Sequence, residues 1–525
     1  MKMVFSRTII RPTNLLSVVQ CKRGYNSEAG DKIRAKLRNP SLFREQAFIG
    51  GEWTNGQSQA RFSIHNPYNG TEIGSCPEMD NSDIKTSIDT AQTTLSTFRH
   101  SSARQRMAIL KDWHVLMQEH ESDLATILSY ENGRPIEAAK AEIKYAASFF
   151  EWFAGEAVRS YGQTVQGSAP ENRVLTIKQP VGVVGVITPW NFPSAMITRK
   201  AGAAIAAGCT TVLKPAAETP FSAIALAYLG AQAGIPSGGF NVVTCDRNIA
   251  GVGKELCENP VVKKVSFTGS TAVGKLLMRQ SSSTLKKMNM ELGGNAPFIV
   301  FDDADMNKTL EGLLAAKFRA SGQTCVCANR VYVQDGIADT FIKRFNKLVA
   351  EKMSPGDPAS SATTLGPLIN VKAREKVERL VQDAQQKDAS IVSGGKRVSS
   401  DPETFFPSTI LDHMTPDMDA SREELFGPVV AFYRFSDEDD LLRMANDSEV
   451  GLAAYVYTEK LTQAWRAAEM LQTGMVGVNT GMISDPVAPF GGVKQSGFGR
   501  EGGSVGIEEF QNVKTITLGG LNVTG

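Results

Sequence analysis

Val181-Gly182-Val183-Val184-Gly185-Val186-Ile187-Thr188 is an uncharged, β-branched run that stops at Pro189. Apolar runs recur at Thr210 to Leu213, Asn241 to Thr244 and Lys264 to Thr268, each followed by a helical stretch with turn residues between. Strand alternating with helix is the signature of a parallel sheet wound with helices, and such a sheet places ligands at the carboxyl ends of its strands. Trp190-Asn191-Phe192-Pro193 follows the first run, Lys214 the second and Phe267-Thr268-Gly269-Ser270 the last.

Upstream, Phe48 to Ser75 reads as short strands with hairpin turns at Asn55-Gly56 and Asn69-Gly70. Ile84, Ile88, Ala91, Leu95 and Phe98 recur at helical spacing behind the cap candidates Asn81 and Ser82, and a further helix starts near Pro135. Both read as packing helices without chemistry. Beyond Cys327 the alternation returns, predicting a second wound sheet that ends near Gly474 to Asn479. The tail closes on Val513 to Leu518, alternating and β-branched.

The composition excludes several classes. A chain of 525 residues, 42% hydrophobic and 21% charged, is globular and long enough for two or three domains. Net charge +1 leaves no overall basic footprint for nucleic acid. The uncharged runs Gln179 to Thr198 and Thr219 to Cys245 are long enough for a bilayer but are broken by proline and glycine, which favours a soluble core over a membrane span. Seven unevenly spaced cysteines make no disulfide framework and suggest a reducing compartment. Residues 1–27 carry Lys2, Arg7, Arg11, Lys22 and Arg23 with no acid, the pattern of a transit peptide to the mitochondrial matrix, with processing near Arg23-Gly24-Tyr25.

Ser321-Gly322-Gln323-Thr324-Cys325-Val326-Cys327 offers a nucleophile. A thiol needs help at neutral pH, because only its thiolate attacks. Glu291 lies between apolar neighbours before Gly293-Gly294, where burial would raise it toward a general base's range. Gly269-Ser270-Thr271-Ala272-Val273-Gly274 opens a helix with free amides suited to a phosphate, although a plain N-cap reads the same way, and no Gly-x-Gly-x-x-Gly run is present. A thiol, a carboxylate, the Asn191 amide and a phosphate turn together point to covalent catalysis on a carbonyl with a nicotinamide cofactor. A thiol hydrolase would need a histidine base, and none of the five histidines adjoins these motifs. A zinc site on Cys325-x-Cys327 lacks a second ligand pair, so no metal is expected.

Thr188-Pro189-Trp190-Asn191-Phe192-Pro193, Leu213-Lys214-Pro215, Phe267-Thr268-Gly269-Ser270, Glu291-Leu292-Gly293-Gly294, Gly322-Gln323-Thr324-Cys325, Glu424-Leu425-Phe426-Gly427-Pro428 and Pro489-Phe490-Gly491-Gly492 resemble the aldehyde dehydrogenase superfamily, in its order, over roughly residues 40 to 520. Met196 to Lys200, Lys317-Phe318-Arg319, Cys325-Val326-Cys327 and Gly491 to Gly502 most resemble succinate-semialdehyde dehydrogenases.

The resemblance implies an α/β fold with a Rossmann-type NAD(P)-binding domain (28–160 and 181–292), an α/β catalytic domain (293–500) and a small β oligomerisation element (161–180 and 501–525) whose tail pairs across subunits of a dimer or tetramer. It implies Cys325 as nucleophile, Asn191 with the cysteine's own amide as oxyanion donors, Glu291 as the base for water and Lys200 as a proton relay. Cofactor contacts are implied at Thr188, Trp190, Lys214, Ala217, Gly269, Ser270, Leu292, Glu424 and Phe426. Ala217 stands where NAD-preferring relatives often carry a carboxylate, with Glu218 one residue further, so NADP is expected to serve as well as NAD. Arg199, Arg319 and Ser484 match positions that bind a substrate carboxylate. The expected reaction is oxidation of succinate semialdehyde in 4-aminobutyrate degradation, with another aldehyde such as glutarate semialdehyde as the alternative. Cys327 is a candidate redox partner of Cys325.

Overall fold

A computed structural model describes residues 25–397 and 402–521. Most of the basic N-terminal segment, Met1 to Gly24, lies outside the described residues. The described chain opens with Tyr25 under the Arg61 guanidinium and with Ser27, whose hydroxyl caps helix Glu28–Arg34 and whose N–H donates to Glu45.

The first wound sheet has five parallel central strands in the spatial order Phe240–Val242, Thr210–Lys214, Val183–Ile187, Val262–Thr268, Lys287–Glu291. Chain direction along the sheet reverses between Val183–Ile187 and Val262–Thr268, which makes a crevice at their carboxyl ends. Both motifs assigned there by sequence, Trp190 to Pro193 and Thr268 to Ser270, emerge at that crevice. Antiparallel strands close the two edges: Ala47–Ile49 with Glu52–Thr54 on one side and Gly497–Phe498 on the other. The central strands are buried on both faces, which is why their sequences run apolar rather than alternate.

The second sheet runs Ser390–Ser393, Thr409–Asp412, Val429–Phe435, Ala328–Gln334, Ala296–Val300, Ala453–Tyr457, Met475–Val478, parallel except for its first strand. Aromatic pairs such as Phe298 stacked on Tyr457, centroids 4.9 Å apart, fill one of its faces. A third sheet joins Gln511–Leu518, Arg173–Pro180 and Thr164–Gln166. The tail strand pairs within its own chain, Gln511 with Pro180 through Leu518 with Arg173, and its outer edge carries no further strand among the described residues.

Local readings needed two corrections. The cap of helix Asn81–Phe98 is Asp80, not Asn81 or Ser82: its carboxylate accepts from the Ser82 and Asp83 amides, and Asp83 accepts from the Asp80 amide in return. The hairpin turn between the two short N-terminal strands is Gly50-Gly51, both left-handed (φ +66° and +86°), whereas Asn55-Gly56 leads out of the second strand to one it does not pair with. Two adjacent glycines adopt that turn without side-chain strain, and Asn-Gly one turn later has no partner strand to close. Asn69-Gly70 does join a paired hairpin, Arg61–His65 with Glu72–Pro77. Among the described residues no helix is long and apolar enough to cross a membrane, and no cluster of three or more His, Cys, Asp or Glu could hold a metal ion.

Candidate active site

The thiol is delivered by a strained turn. Helix Met306–Phe318 ends, and Ala320, Ser321 and Gly322 follow with φ of +52°, +56° and +76°. Left-handed conformations in non-glycine residues cost about 1–3 kcal/mol each and persist only where surroundings enforce them. Here the Ser321 hydroxyl bonds the Gly366 carbonyl (2.9 Å) and the Gln323 amide oxygen accepts from the Ile369 N–H (2.9 Å). A Cβ on Gly322 would stand 2.0 Å from the Gly427 carbonyl oxygen, so only glycine fits. The turn carries Cys325 to the junction between the two wound sheets, where it lines one cavity on each side. Burial pushes its thiol up to about 12, with Arg199 pulling the other way, so the sulfur is protonated at neutral pH in the free protein.

Asn191 reaches the same turn. Its side-chain N–H donates to the Gln323 carbonyl at 3.0 Å, which leaves the second N–H for a ligand and the amide oxygen without a partner. Its loop is clamped by residues the sequence reading did not single out. Asn132 donates to the Trp190 carbonyl (2.9 Å), Arg134 donates to the Asn191 carbonyl and pairs with Glu142, and Glu142 accepts from the Ser194 amide (3.1 Å).

Glu291 ends the last parallel strand of the first sheet, buried, with neither carboxylate oxygen hydrogen bonded. Burial raises it well above the ordinary carboxylate range, and the charge on Glu501 adds to this, while Arg199 and Lys200 oppose it. Glu501 itself pairs with Arg199 (Nε to Oε2, 2.6 Å) and with Lys200. The position expected as a proton relay and one expected to grip substrate thus share an internal carboxylate that motif reading passed over.

On one side of Cys325 lies a cleft of about 290 Å3 lined by Trp190, Gly269, Ser270, Leu292, Glu424 and Phe426, all expected, together with Lys376, which was not. Trp190 and Phe426 meet edge to face at 5.6 Å. Loss of water raises the half-buried Glu424 to about 7. Ser270 caps helix Thr271–Ser281 through the Val273 amide (3.4 Å), so the cap reading holds, and the same residue lines the cleft. Thr188, Lys214 and Ala217 do not line this cleft: they sit at neighbouring strand ends, where the Thr188 amide donates to the Lys214 carbonyl (3.2 Å). The residues fit a dinucleotide. Buried hydroxyls of Thr188 and Thr268 lack partners, and the buried Lys214 ammonium has no carboxylate within ion-pair range among the described residues.

On the other side, Arg199, Arg319 and Ser484 come together as expected, with Tyr145, Phe192, Met196 and Phe490 around them. Tyr145 stands on helix Ile136–Ala157, read from sequence as packing only. None of the five histidines lines either cavity. Cys325 and Cys327 are both free thiols; Cys327 is buried, its sulfur 3.4 Å from the Lys317 carbonyl.

Residues 53–516 match the family model described as the aldehyde dehydrogenase family. The chain is 51% identical over 484 residues to the succinate-semialdehyde dehydrogenase (NADP(+)) of Escherichia coli (strain K12), covering 92% of this chain and 100% of that one. It is 49% identical over 486 residues to the glutarate-semialdehyde dehydrogenase of Pseudomonas aeruginosa, covering 93% and 100%. The crystal structure of succinate-semialdehyde dehydrogenase from Burkholderia pseudomallei superposes with a TM-score of 0.90 at 48% identity, covering 92% of this chain and 99% of that one. The chain belongs to the aldehyde dehydrogenase family.

Proposed function

We propose that the protein oxidises succinate semialdehyde to succinate with NAD or NADP. The observation that carries this reading is the position of Cys325 between the cleft lined by Trp190, Ser270, Glu424 and Phe426 and a pocket holding Arg319, whose guanidinium has no anionic partner of its own among the described residues. The names of the E. coli and B. pseudomallei relatives support the substrate. The P. aeruginosa relative supports glutarate semialdehyde as a second substrate, one methylene longer.

The Cys325 sulfur, once deprotonated, bonds the aldehyde carbon. The carbonyl oxygen becomes an oxyanion between the free Asn191 N–H and the Cys325 backbone N–H. Such a donor contributes about 3 kcal/mol to the barrier. A nicotinamide bound in the cleft would supply the hydride acceptor, and loss of the hydride would leave a thioester on Cys325. Trp190, Gly269, Ser270, Leu292, Glu424 and Phe426 would hold the cofactor from the cleft, and Thr188 and Lys214 from the neighbouring strand ends, with Lys214 and Glu424 on ribose hydroxyls. Glu291, whose raised pKa suits a base, takes a proton from water as that water attacks the thioester. The carbon–sulfur bond breaks and the acid departs. Lys200, paired with Glu501, would relay protons from Glu291, a role supported by its charge acting on that carboxylate. Ala217 presents no carboxylate to a 2′-phosphate, so NADP is accepted.

The acid-free basic N-terminus supports import into the mitochondrial matrix, where 4-aminobutyrate degradation would supply the substrate. The exposed Val513 and the open edge of the tail strand support assembly into dimers or tetramers. Cys327 remains a candidate for a reversible disulfide with Cys325.

Initial rates on succinic semialdehyde, glutaric semialdehyde and butanal, each with NAD and with NADP, test the reading. The acidic aldehydes should exceed butanal by about a hundredfold in kcat/KM, and Arg319→Ala should remove most of that margin through KM. Equal losses on butanal would remove the carboxylate reading. An advantage for NAD over NADP beyond about a thousandfold, about 4 kcal/mol, would remove the dual-cofactor reading.

A further inference from the structure

The pocket beyond Cys325 contains two guanidinium groups, and they are not equivalent. Arg199 is buried with its charge already met by Glu501 at 2.6 Å, and its guanidinium stacks over Phe490 at 4.0 Å. The Arg319 guanidinium forms no hydrogen bond or ion pair among the described residues, although its backbone carbonyl accepts from the Thr324 hydroxyl at 3.3 Å. Its guanidinium lies between two rings, 4.8 Å from the centroid of Phe192 and 5.5 Å from that of Tyr145. Phe192 also carries Arg134 at 4.3 Å, but Arg134 is neutralised by Glu142 and faces away from the sulfur's pocket. Arg199 keeps an unbonded Nη2 beside its Glu501 partner, whereas the guanidinium with no carboxylate at all is Arg319, and aromatic faces hold it in place.

Tyr145 contributes more than a ring. It is edge-to-face with Phe149 at 5.0 Å, and its own backbone is tied into helix Ile136–Ala157, so the side chain is anchored from behind. Its phenol faces Arg199, Arg319 and the Ser484 hydroxyl. Burial raises the phenol above its ordinary value, and these three neighbours only partly reverse that, so it keeps its proton at neutral pH and is a hydrogen-bond donor. A protonated phenol beside an unpaired guanidinium and a serine hydroxyl is a donor set for a carboxylate.

We propose that Tyr145 is a specificity-determining residue for the substrate's distal carboxylate, its ring fixing Arg319 and its hydroxyl, beside Ser484, donating to that carboxylate. This rests on the succinate-semialdehyde reading. It deepens that reading by moving part of the recognition onto a helix of the first wound sheet's half of the chain.

Steady-state kinetics of Tyr145→Phe and Tyr145→Leu on succinic semialdehyde and butanal, with Arg319→Ala alongside, test it. Tyr145→Phe should lower the ratio of kcat/KM for succinic semialdehyde to that for butanal about tenfold, through KM, with kcat on succinic semialdehyde changed less than about twofold. Tyr145→Leu, which also removes the ring under Arg319, should lower the ratio further. A ratio unchanged within twofold in both variants, or an equal loss on both aldehydes, overturns the role and leaves Tyr145 as packing. If Tyr145→Leu does not fold by thermal melting, Tyr145→Phe decides alone, because it removes one oxygen and no bulk. A wild-type ratio near one would defeat the substrate reading itself. A large wild-type ratio that collapses in Arg319→Ala but not in the Tyr145 variants would defeat only the present proposal.

Discussion

The two cavities that meet at Cys325 are built on different principles. The cleft toward the crevice of the first sheet is about 290 Å3 and is walled by Trp190, Phe426, Leu292 and backbone, with a few polar groups at its rim. The pocket on the far side is about 20 Å3 and is walled by guanidinium groups, hydroxyls and aromatic rings. A large ligand can be recognised by shape and a helix start, whereas a short aldehyde offers so little surface that charge must identify it. One sulfur borders both because the strained turn from Ala320 to Gly322 sets it at their common wall.

That division can be attacked from its centre outward. Glu291→Gln removes the carboxylate proposed as the base for water and should lower kcat by about 10²–10⁴, while a burst of one NAD(P)H per site survives in stopped-flow absorbance. Loss of the burst to the same degree would mean that Glu291 also serves the first half-reaction. Next comes the thiol. Because burial raises Cys325 to about 12, its thiolate fraction still climbs through the accessible range, so alkylation by iodoacetamide in the free protein should rise about tenfold per pH unit, roughly a hundredfold from pH 7 to 9. A plateau near pH 8.5, followed by mass spectrometry of the Cys325 peptide, would show that water reaches the sulfur freely. The smallest effect is expected at the far end of the cofactor side, where Ala217→Glu should shift the kcat/KM ratio toward NAD about tenfold, roughly 1.4 kcal/mol. An unmoved ratio would place Ala217 away from the adenosine ribose.

Sequence reading reached the first sheet well because its strands are buried on both faces and so stand out as runs such as Val183 to Ile187. Cys325, Asn191 and Glu291 stood out because each lies in a compact motif with chemistry of its own. Glu501 did not: beside Arg500 in a glycine-rich stretch it reads as surface charge, and only the fold brings it to Arg199 and Lys200, about 300 residues away in the chain. Arg134 and Glu142 were hidden for the same reason, since their respective partners Asn191 and Ser194 are remote in sequence. Tyr145 was hidden differently. It shares a helix with Ile143, Ala146, Phe149 and Phe150, all buried, and a tyrosine among packing residues gives no sign that its ring faces a pocket. The errors at Asn55-Gly56 and Asn81 have a local cause: several adjacent residues could each make the bend or the cap, and strand pairing chose the turn while the reciprocal Asp80–Asp83 hydrogen bonds chose the cap.

The helix that carries Tyr145 and Glu142 has a consequence for how such enzymes diverge. Asn191, Arg199 and Tyr145 come from the half of the chain before residue 293, and Cys325, Arg319 and Ser484 from the half after it. A crossover between two relatives near that point would therefore inherit half a recognition site from each parent. Descendants with a new aldehyde preference should arise by paired substitutions on both sides of the junction, and shuffling of intact halves should chiefly yield enzymes with a working thiol and a mismatched grip.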